Sequence, residues 1–230
     1  MGLKKFTVAK ARSLPVIILA DTSGSMMVEG KISVLNEAIQ DMVSTFSQES
    51  ARQAEIKVSL ITFGGDSAEI YLPLVKATEI QNMKPLEAIG RTPMGHAFSL
   101  AYDILEDKDL ITSRDYRPVI ILLSDGHPTD KWEKELEKFS GNERAKKASR
   151  FSMAIGSDAN LDILSGFNND LEVDVFKASE ARDIHRFFRA VTMSVTSRSK
   201  SQSPNDVAPI IFEENENSND DLGLDLNGKW

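Results

Sequence analysis

The fold is decided by residues 14–25, which read Leu14-Pro15-Val16-Ile17-Ile18-Leu19-Ala20-Asp21-Thr22-Ser23-Gly24-Ser25. The first seven residues are all apolar and include three consecutive β-branched residues, a pattern typical of a strand that is covered on both faces. A polar loop containing a glycine follows directly. A second stretch of this kind, Arg117-Pro118-Val119-Ile120-Ile121-Leu122-Leu123, leads into Ser124 and Asp125. The two stretches predict two buried strands with polar residues at their carboxyl ends.

Outside these two stretches, apolar periodicity and turn residues predict further strands and helices in alternation. Helices are predicted over 31–52, from Met94 to about Glu106, over 131–150, over 161–167, and from Glu180 to about Val195. Strands are predicted over 55–63, 68–75, 151–155 and 173–176, with a turn at 64–66 that makes the first two an antiparallel hairpin. The alternation predicts an α/β fold with a doubly wound, mostly parallel central sheet, one antiparallel hairpin strand and helices on both faces.

Charge divides the chain into a domain and a tail. The net charge is −8, of which residues 205–230 carry −6 and the rest only −2. We expect a lead-in over residues 1–12, a domain over 13–196 and an acidic, disordered tail over 197–230. The tail contains two apolar islands, Pro209–Phe212 and Leu222–Leu226. It is interpreted either as an inert solubilising tail or as a binding segment that becomes ordered on a partner.

Composition excludes several classes of protein. With 41% hydrophobic and 27% charged residues among 230, the chain is not disordered as a whole. It lacks cysteine, which excludes disulfide scaffolds, thiolate zinc sites and cysteine nucleophiles. No apolar run reaches the roughly 18 residues of a membrane span, and the first residues do not read as a signal peptide, so a cytoplasmic protein is expected. No basic stripe is present for nucleic acid.

Candidate ligands for a metal ion lie at the carboxyl ends of the buried strands, where open α/β sheets bind ligands. The first strand ends in Asp21, Ser23 and Ser25, the second ends in Asp125, and Thr92 opens the helix between them. All five side chains offer hard oxygen atoms. This donor set suits Mg²⁺, Mn²⁺ or Ca²⁺ rather than zinc or copper, and it leaves room for one more oxygen from water or a partner.

Asp21-x-Ser23-x-Ser25, Thr92 and Asp125 together resemble the metal-ion-dependent adhesion site of von Willebrand factor A (VWA) domains, and the resemblance covers about residues 13–196. Shorter strings resemble the bacterial cytoplasmic TerY-like branch of that superfamily, found in tellurite-resistance clusters. These strings are Leu14–Val16, Thr92–Gly95 and Asp125–Trp132.

The resemblance implies an α/β sandwich and a divalent cation held directly by Ser23, Ser25 and Thr92, with Asp21 and Asp125 acting directly or through water. It implies a non-catalytic adaptor whose protein partner completes the coordination with an Asp or Glu carboxylate. A kinase or phosphatase of the same gene cluster is the partner expected for the TerY-like branch. Three residues bordering the loops are predicted to contact the partner: Arg91, Met26 and His127. Arg91 departs from the small residues frequent in relatives and could repel the ion or grip the carboxylate.

Other interpretations of these residues stay open. The alternative function is a Mg²⁺-dependent phosphatase or phosphotransferase with Asp21 as nucleophile, although no phosphate-binding glycine loop accompanies it. Met26 is alternatively a packing residue. Thr129 and Asp130 are expected to cap the helix that starts at Lys131. The flexible acidic tail could dock at the metal site, within one chain or between chains.

Overall fold

The computed structural model describes residues 12–48, 54–125, 127–157, 159–169 and 174–205. These residues form a six-stranded sheet of order β3-β2-β1-β4-β5-β6, in which β2 and β3 pair antiparallel and every other pair is parallel. The strands are β1 (Arg12–Asp21), β2 (Ala54–Gly64), β3 (Ser67–Lys76), β4 (Val119–Ser124), β5 (Ser149–Ile155) and β6 (Phe176–Ala178). The predicted fold class is confirmed.

Helices cover both faces of the sheet. They are α1 (Lys31–Gln48), α2 (Met94–Glu106), α3 (Trp132–Gly141), α4 (Glu143–Lys147), α5 (Leu161–Phe167) and α6 (Ala181–Lys200). Helices α1 and α6 pack in one apolar cluster, and α2 to α5 pack in the other. Strand β1 alternates between them, since Val16 and Ile18 belong to the first cluster and Ile17 and Leu19 to the second. This double burial explains why the strand reads as a continuous apolar run.

Two predicted elements are wrong in detail. The helix expected over 131–150 is two helices, because Asn142 leaves the helical conformation and its side chain accepts hydrogen bonds from the backbone N–H groups of Arg144 and Ala145. Residues 149–150 already belong to β5. The last strand is Phe176–Ala178 rather than 173–176; Val173 lies outside the described residues, and 174–175 are not in a strand.

The C-terminal end of the described chain is anchored to the domain beyond the predicted boundary. Helix α6 continues through Ser197 to Lys200. Arg198 is buried and donates hydrogen bonds of 2.9 Å to the carbonyls of Pro204 and Arg117. The Asn205 side chain accepts a hydrogen bond of 2.9 Å from the Arg117 N–H. Most of the predicted tail, residues 206–230, lies outside the described residues, as does the lead-in up to residue 11.

The part of the chain that the structure describes contains no helix with the length and hydropathy of a membrane span.

Candidate metal centre

The candidate ligands lie at the point where the strand order reverses. From β1 the chain builds outward to β2 and β3 on one side, and β4 then pairs on the other side of β1. In such sheets the loops at the carboxyl ends of the two central strands diverge and leave a crevice. Asp21 ends β1, and Asp125 directly follows β4. The parallel register, which pairs Ala20 with Leu123, brings the two strand ends side by side.

Backbone hydrogen bonds join the loop after β1 to the segment that precedes α2. The Gly24 N–H donates to the Gly90 carbonyl at 2.9 Å, and the Ile89 N–H donates to the Thr22 carbonyl at 2.7 Å. Gly90 has φ +63°, and a Cβ there would lie 2.7 Å from the Cα of Gly65. Only glycine allows this approach, because both the conformation and the space exclude a side chain.

Three of the five candidate side chains form a continuous hydrogen-bonded chain. The hydroxyls of Ser23 and Ser25 share a hydrogen bond of 2.9 Å, and the Ser25 hydroxyl donates to Asp125 Oδ2. Ser23 and Asp125 are buried, whereas Ser25 is exposed. The three oxygen atoms therefore converge at the surface end of the crevice, where a cation and a partner could both reach them.

Asp21 lies behind these three side chains, and its carboxylate is fully buried. Its Oδ1 accepts a hydrogen bond of 2.7 Å from the Ser23 N–H, and its Oδ2 accepts one of 2.5 Å from the Ser124 hydroxyl. Burial raises the pKa of Asp21 from 3.8 to about 6; the hydrogen bonds from Ser124 and Ser23 oppose this shift, and the charge of Asp125 adds to it. A nearby cation would relieve the cost of this buried charge.

Thr92 is buried and is held by the loop that follows β4. Its N–H donates to the Thr129 hydroxyl at 3.1 Å, and its carbonyl accepts from the Thr129 N–H at 2.9 Å. Asp130 accepts hydrogen bonds from the N–H groups of Gly95 and His96, in the first turn of α2. The prediction that Thr129 and Asp130 cap the helix after Lys131 is wrong, since they bind Thr92 and α2 instead.

The three predicted partner contacts have different environments. Arg91 and His127 are exposed beside the loops. Met26 is fully buried in the core cluster of α1, so its predicted contact with a partner is wrong and its alternative role in packing is right. The exposed apolar side chains of this loop are the next two residues, Met27 and Val28, with 65% and 55% of their surface accessible.

The residues fit a hard divalent cation. Among the described residues, no group of three or more His, Cys, Asp or Glu side chains is placed to hold a metal. A site on these loops would therefore depend on the hydroxyls of Ser23, Ser25 and Thr92 together with the two carboxylates, an oxygen-only set that suits Mg²⁺, Mn²⁺ or Ca²⁺.

The structure also identifies supporting residues that sequence reasoning missed. Ser124 binds Asp21, and Thr129 and Asp130 hold the Thr92 loop. The position of Ser124 as last residue of a buried strand was the available signal, but it becomes informative only when β4 is known to pair with β1.

Comparison with known proteins agrees with this architecture. Residues 16–127 match the family model of the von Willebrand factor type A domain. An uncharacterized protein of Methanocaldococcus jannaschii, MJ0910, is 31% identical over 80 residues, which cover 34% of this chain and 45% of that protein. The match thus spans less than half of that relative.

Two solved structures share the fold. A von Willebrand factor type A protein from Catenulispora acidiphila has a TM-score of 0.59 at 20% identity, covering 80% of this chain and 42% of the other. Proximal thread matrix protein 1 of the mussel byssus, with a zinc-occupied MIDAS motif, has a TM-score of 0.61 at 16% identity, covering 81% and 48%. At these identities the likeness concerns the fold. The family match makes residues 16–127, just under half of the chain, similar to a von Willebrand factor type A domain.

Proposed function

We propose that this protein is a non-catalytic binding module that recognises a carboxylate of a protein partner through a divalent cation on Ser23, Ser25, Thr92, Asp21 and Asp125. The observation that carries the proposal is the convergence of the Ser23 and Ser25 hydroxyls with the Asp125 carboxylate on neighbouring strand ends. The byssus protein, which shares the fold, has a structure with a zinc-occupied MIDAS motif, and this supports the proposal of a bound divalent cation.

The proposed chemistry follows from the charge of the donors. Hydroxyl groups fill coordination positions without cancelling charge, so a cation held largely by hydroxyls keeps its affinity for an anionic ligand. Asp21 has both carboxylate oxygens engaged by Ser23 and Ser124, which suits a supporting role behind the hydroxyls, through water. Ser25 is exposed and Asp125 lies next to it, so the outer side of the site is open to a partner.

Arg91 adds to the recognition of an acid. Its side chain is exposed beside the Gly90 loop, and a guanidinium can grip a carboxylate with two parallel hydrogen bonds. A partner that presents Asp or Glu would meet both a cation and this guanidinium.

The enzymatic alternative fits the site less well. A nucleophilic Asp21 would have to reach a phosphoryl group, yet its carboxylate is fully buried and accepts hydrogen bonds on both oxygens. The described residues place no lysine beside it in a hydrogen bond or ion pair that would neutralise a phosphate. We therefore favour binding over phosphoryl transfer.

The proposal extends from the chemistry of the site to the cellular system in which the protein acts. The strings Leu14–Val16, Thr92–Gly95 and Asp125–Trp132 favour a bacterial cytoplasmic stress or tellurite-resistance system, with a kinase or phosphatase of the same gene cluster as partner. Co-purification of such a protein with the full chain tests this part separately.

The test of the proposed function is capture of a partner by the immobilised full chain in Mg²⁺ and in EDTA. We expect capture in Mg²⁺ and its loss in EDTA and in the Ser25→Ala variant. Ser113→Ala is the matched control, because Ser113 is an exposed serine in the loop before β4, at the opposite end of that strand from Asp125. Capture that is equal in EDTA, or unaffected by Ser25→Ala, would overturn the proposal.

A further inference from the structure

Exposed apolar side chains are concentrated on the loops of the candidate metal centre. Among the described residues, six large hydrophobic side chains have at least 36% of their surface accessible. Four of the six lie on or beside these loops and are called the apolar rim here: Met27, Val28, Ile89 and Leu161. Exposed apolar groups that gather around a polar centre indicate a contact surface for another segment of protein.

Each part of the rim is tied to a ligand-bearing loop. Met27 and Val28 follow Ser25 directly. Ile89 precedes Gly90, whose carbonyl accepts a hydrogen bond from the Gly24 N–H. Leu161 follows Asn160, whose N–H donates to the Asp125 carbonyl at 2.9 Å. A segment that placed a carboxylate at the site would therefore meet apolar side chains on more than one side.

The described chain ends at the opposite edge of the sheet. Asn205 is bound to the N–H of Arg117, which precedes β4, whereas Asp125 follows β4. Eight residues of extended chain separate Arg117 from Asp125, which corresponds to about 26 Å. Any route from Asn205 to the site must also pass around the helices that cover the sheet, so it is longer than this straight line.

This distance decides which acidic residues of the C-terminal segment can extend from Asn205 to the candidate metal centre. Glu213 and Glu214 follow Asn205 by eight and nine residues, so they reach at most about 30 Å when fully extended. That length only just exceeds the straight line from Arg117 to Asp125, and it leaves no extra chain to pass around the helices. Asp225 follows Asn205 by 20 residues, which span about 70 Å when extended and about 25 Å on average as a flexible chain.

We propose that residues Leu222–Leu226 dock on the apolar rim of the same chain, with Asp225 directed at the cation and the leucines against the rim. This inference rests on the proposed function of the site. Residues 205–230 carry a net charge of −6, which complements the cation and the exposed Arg91. The docked segment would compete with the carboxylate of an external partner, so the module would be autoinhibited.

Crosslinking tests the contact directly, because the natural chain has no cysteine and gives no background. The full chain carrying Val28→Cys and Leu224→Cys is treated with a short bis-maleimide in Mg²⁺ or in EDTA. The control pair is Ser113→Cys with Leu224→Cys. Ser113 is exposed at the edge where the described chain ends, so an undocked tail would meet it at least as often.

We expect intramolecular crosslinking of the 28–224 pair to be at least about fivefold faster in Mg²⁺ than in EDTA. The control pair should instead be slower in Mg²⁺ than in EDTA, because docking keeps Leu224 away from Ser113. Adding Asp225→Asn to the 28–224 pair should remove the metal dependence. Crosslinking of the 28–224 pair that is no faster than that of the control, or that joins two chains, would overturn docking within one chain.

A binding measurement separates this inference from the proposed function. The probe is a fluorescent peptide of residues 219–229, titrated into the full chain in Mg²⁺. If the internal segment occupies the site about nine-tenths of the time, the peptide should bind the Asp225→Asn chain about tenfold more tightly than the natural chain. Equal affinity for both chains, with Mg²⁺ uptake intact by calorimetry, would overturn only the docking. Absence of Mg²⁺ uptake by both chains would overturn the proposed function as well.

Discussion

At the scale of the residue, Asp21 carries a charge in a position that disfavours it. The side chain is fully buried and its pKa is raised to about 6, mainly because burial removes the charged form from water. The neutral form is therefore the better accommodated one in the metal-free fold. The neutral Asp21 side chain therefore contributes to the free energy of unfolding in full below pH 3.8, and this contribution is lost as the pH rises through about 6.

The first prediction concerns Asp21→Asn in EDTA. An amide can still accept from the Ser23 N–H and bond the Ser124 hydroxyl, but it never ionises. The shift from 3.8 to about 6 corresponds to about 3 kcal/mol at neutral pH. Urea unfolding should show that the variant gains stability relative to the natural chain, by up to this amount, as the pH rises from about 4 to 7. A constant difference between the two proteins over this range would contradict the prediction.

Gly90 gives a second prediction at this scale. Gly90→Ala places an L residue at φ +63° and a Cβ 2.7 Å from Gly65, whereas Gly30→Ala has a similar φ of +69° with no atom within 4 Å. The conformation alone costs about 1–2 kcal/mol, so Gly30→Ala should lose about that much. Gly90→Ala should lose clearly more in urea unfolding and also weaken Mg²⁺ binding, because its carbonyl holds Gly24. Equal losses for the two variants would be inconsistent with the close approach.

At the scale of the element, the loop after β4 caps the N-terminal turn of α2. The Asp130 carboxylate binds the N–H groups of Gly95 and His96, and Gly95 leaves no room for a Cβ against the Cα of Trp132. A carboxylate at a helix N-terminus also interacts favourably with the helix dipole. Since Thr92 lies just before this helix, the same contact fixes a candidate ligand.

The third prediction follows from this contact. Asp130→Ala removes the acceptor of two N–H groups, and loss of such a cap costs about 1–2 kcal/mol. Thermal unfolding should show the loss, and Mg²⁺ affinity should fall because Thr92 is less well held. Lys131→Ala is the control, since Lys131 makes no side-chain capping hydrogen bond. A variant as stable as this control would argue against the role of Asp130.

The elements predicted well from sequence are those whose patterns depend on local burial. Strand β1 and helix α2 are read correctly because their apolar residues follow one period without interruption. The prediction of one helix over 131–150 is wrong because charged residues lie on both sides of Asn142, so the sequence pattern does not indicate that the helix ends there. Met26 and Met27 are neighbours in the irregular 3₁₀ segment Gly24–Gly30, where periodicity does not tell the buried residue from the exposed one.

The site could be predicted only in part for a related reason. Its ligands stand at strand ends, which sequence patterns locate. Thr129 and Asp130 have a spacing that suits a cap for the next helix in the chain. Instead, Thr129 binds Thr92 and Asp130 binds the start of α2, both more than 30 residues earlier. Such contacts depend on the packing of α2 against α3, which has no local signature.

At the scale of the whole molecule, the fold separates the candidate metal centre from the anchor of the C-terminal segment. The centre lies at the carboxyl ends of β1 and β4, and Asn205 is bound at the other end of β4. The deletion of a C-terminal segment should therefore begin after Asn205, because Arg198 and Pro204 belong to the folded part.

A cation bound only by the folded chain should stabilise the whole domain. The fourth prediction is that Mg²⁺ raises the midpoint of thermal unfolding and that EDTA reverses the change. At a Mg²⁺ concentration of 100 times the dissociation constant, the free energy of unfolding rises by about 2.7 kcal/mol. Thr92→Val should lack this gain, whereas Thr92→Ser should keep it because it retains the hydroxyl. A gain of the same size in Thr92→Val would show that the ion binds elsewhere.

The convergence of the three loops on one cation is tested most directly by titrating the full chain with Mn²⁺ and following free Mn²⁺ by electron paramagnetic resonance. The account predicts one saturable site per chain that Mg²⁺ displaces, retained in Thr92→Ser and weakened by about tenfold or more in Thr92→Val and Ser23→Ala. No saturable site in the natural chain, or an unchanged site in both of these variants, would contradict it.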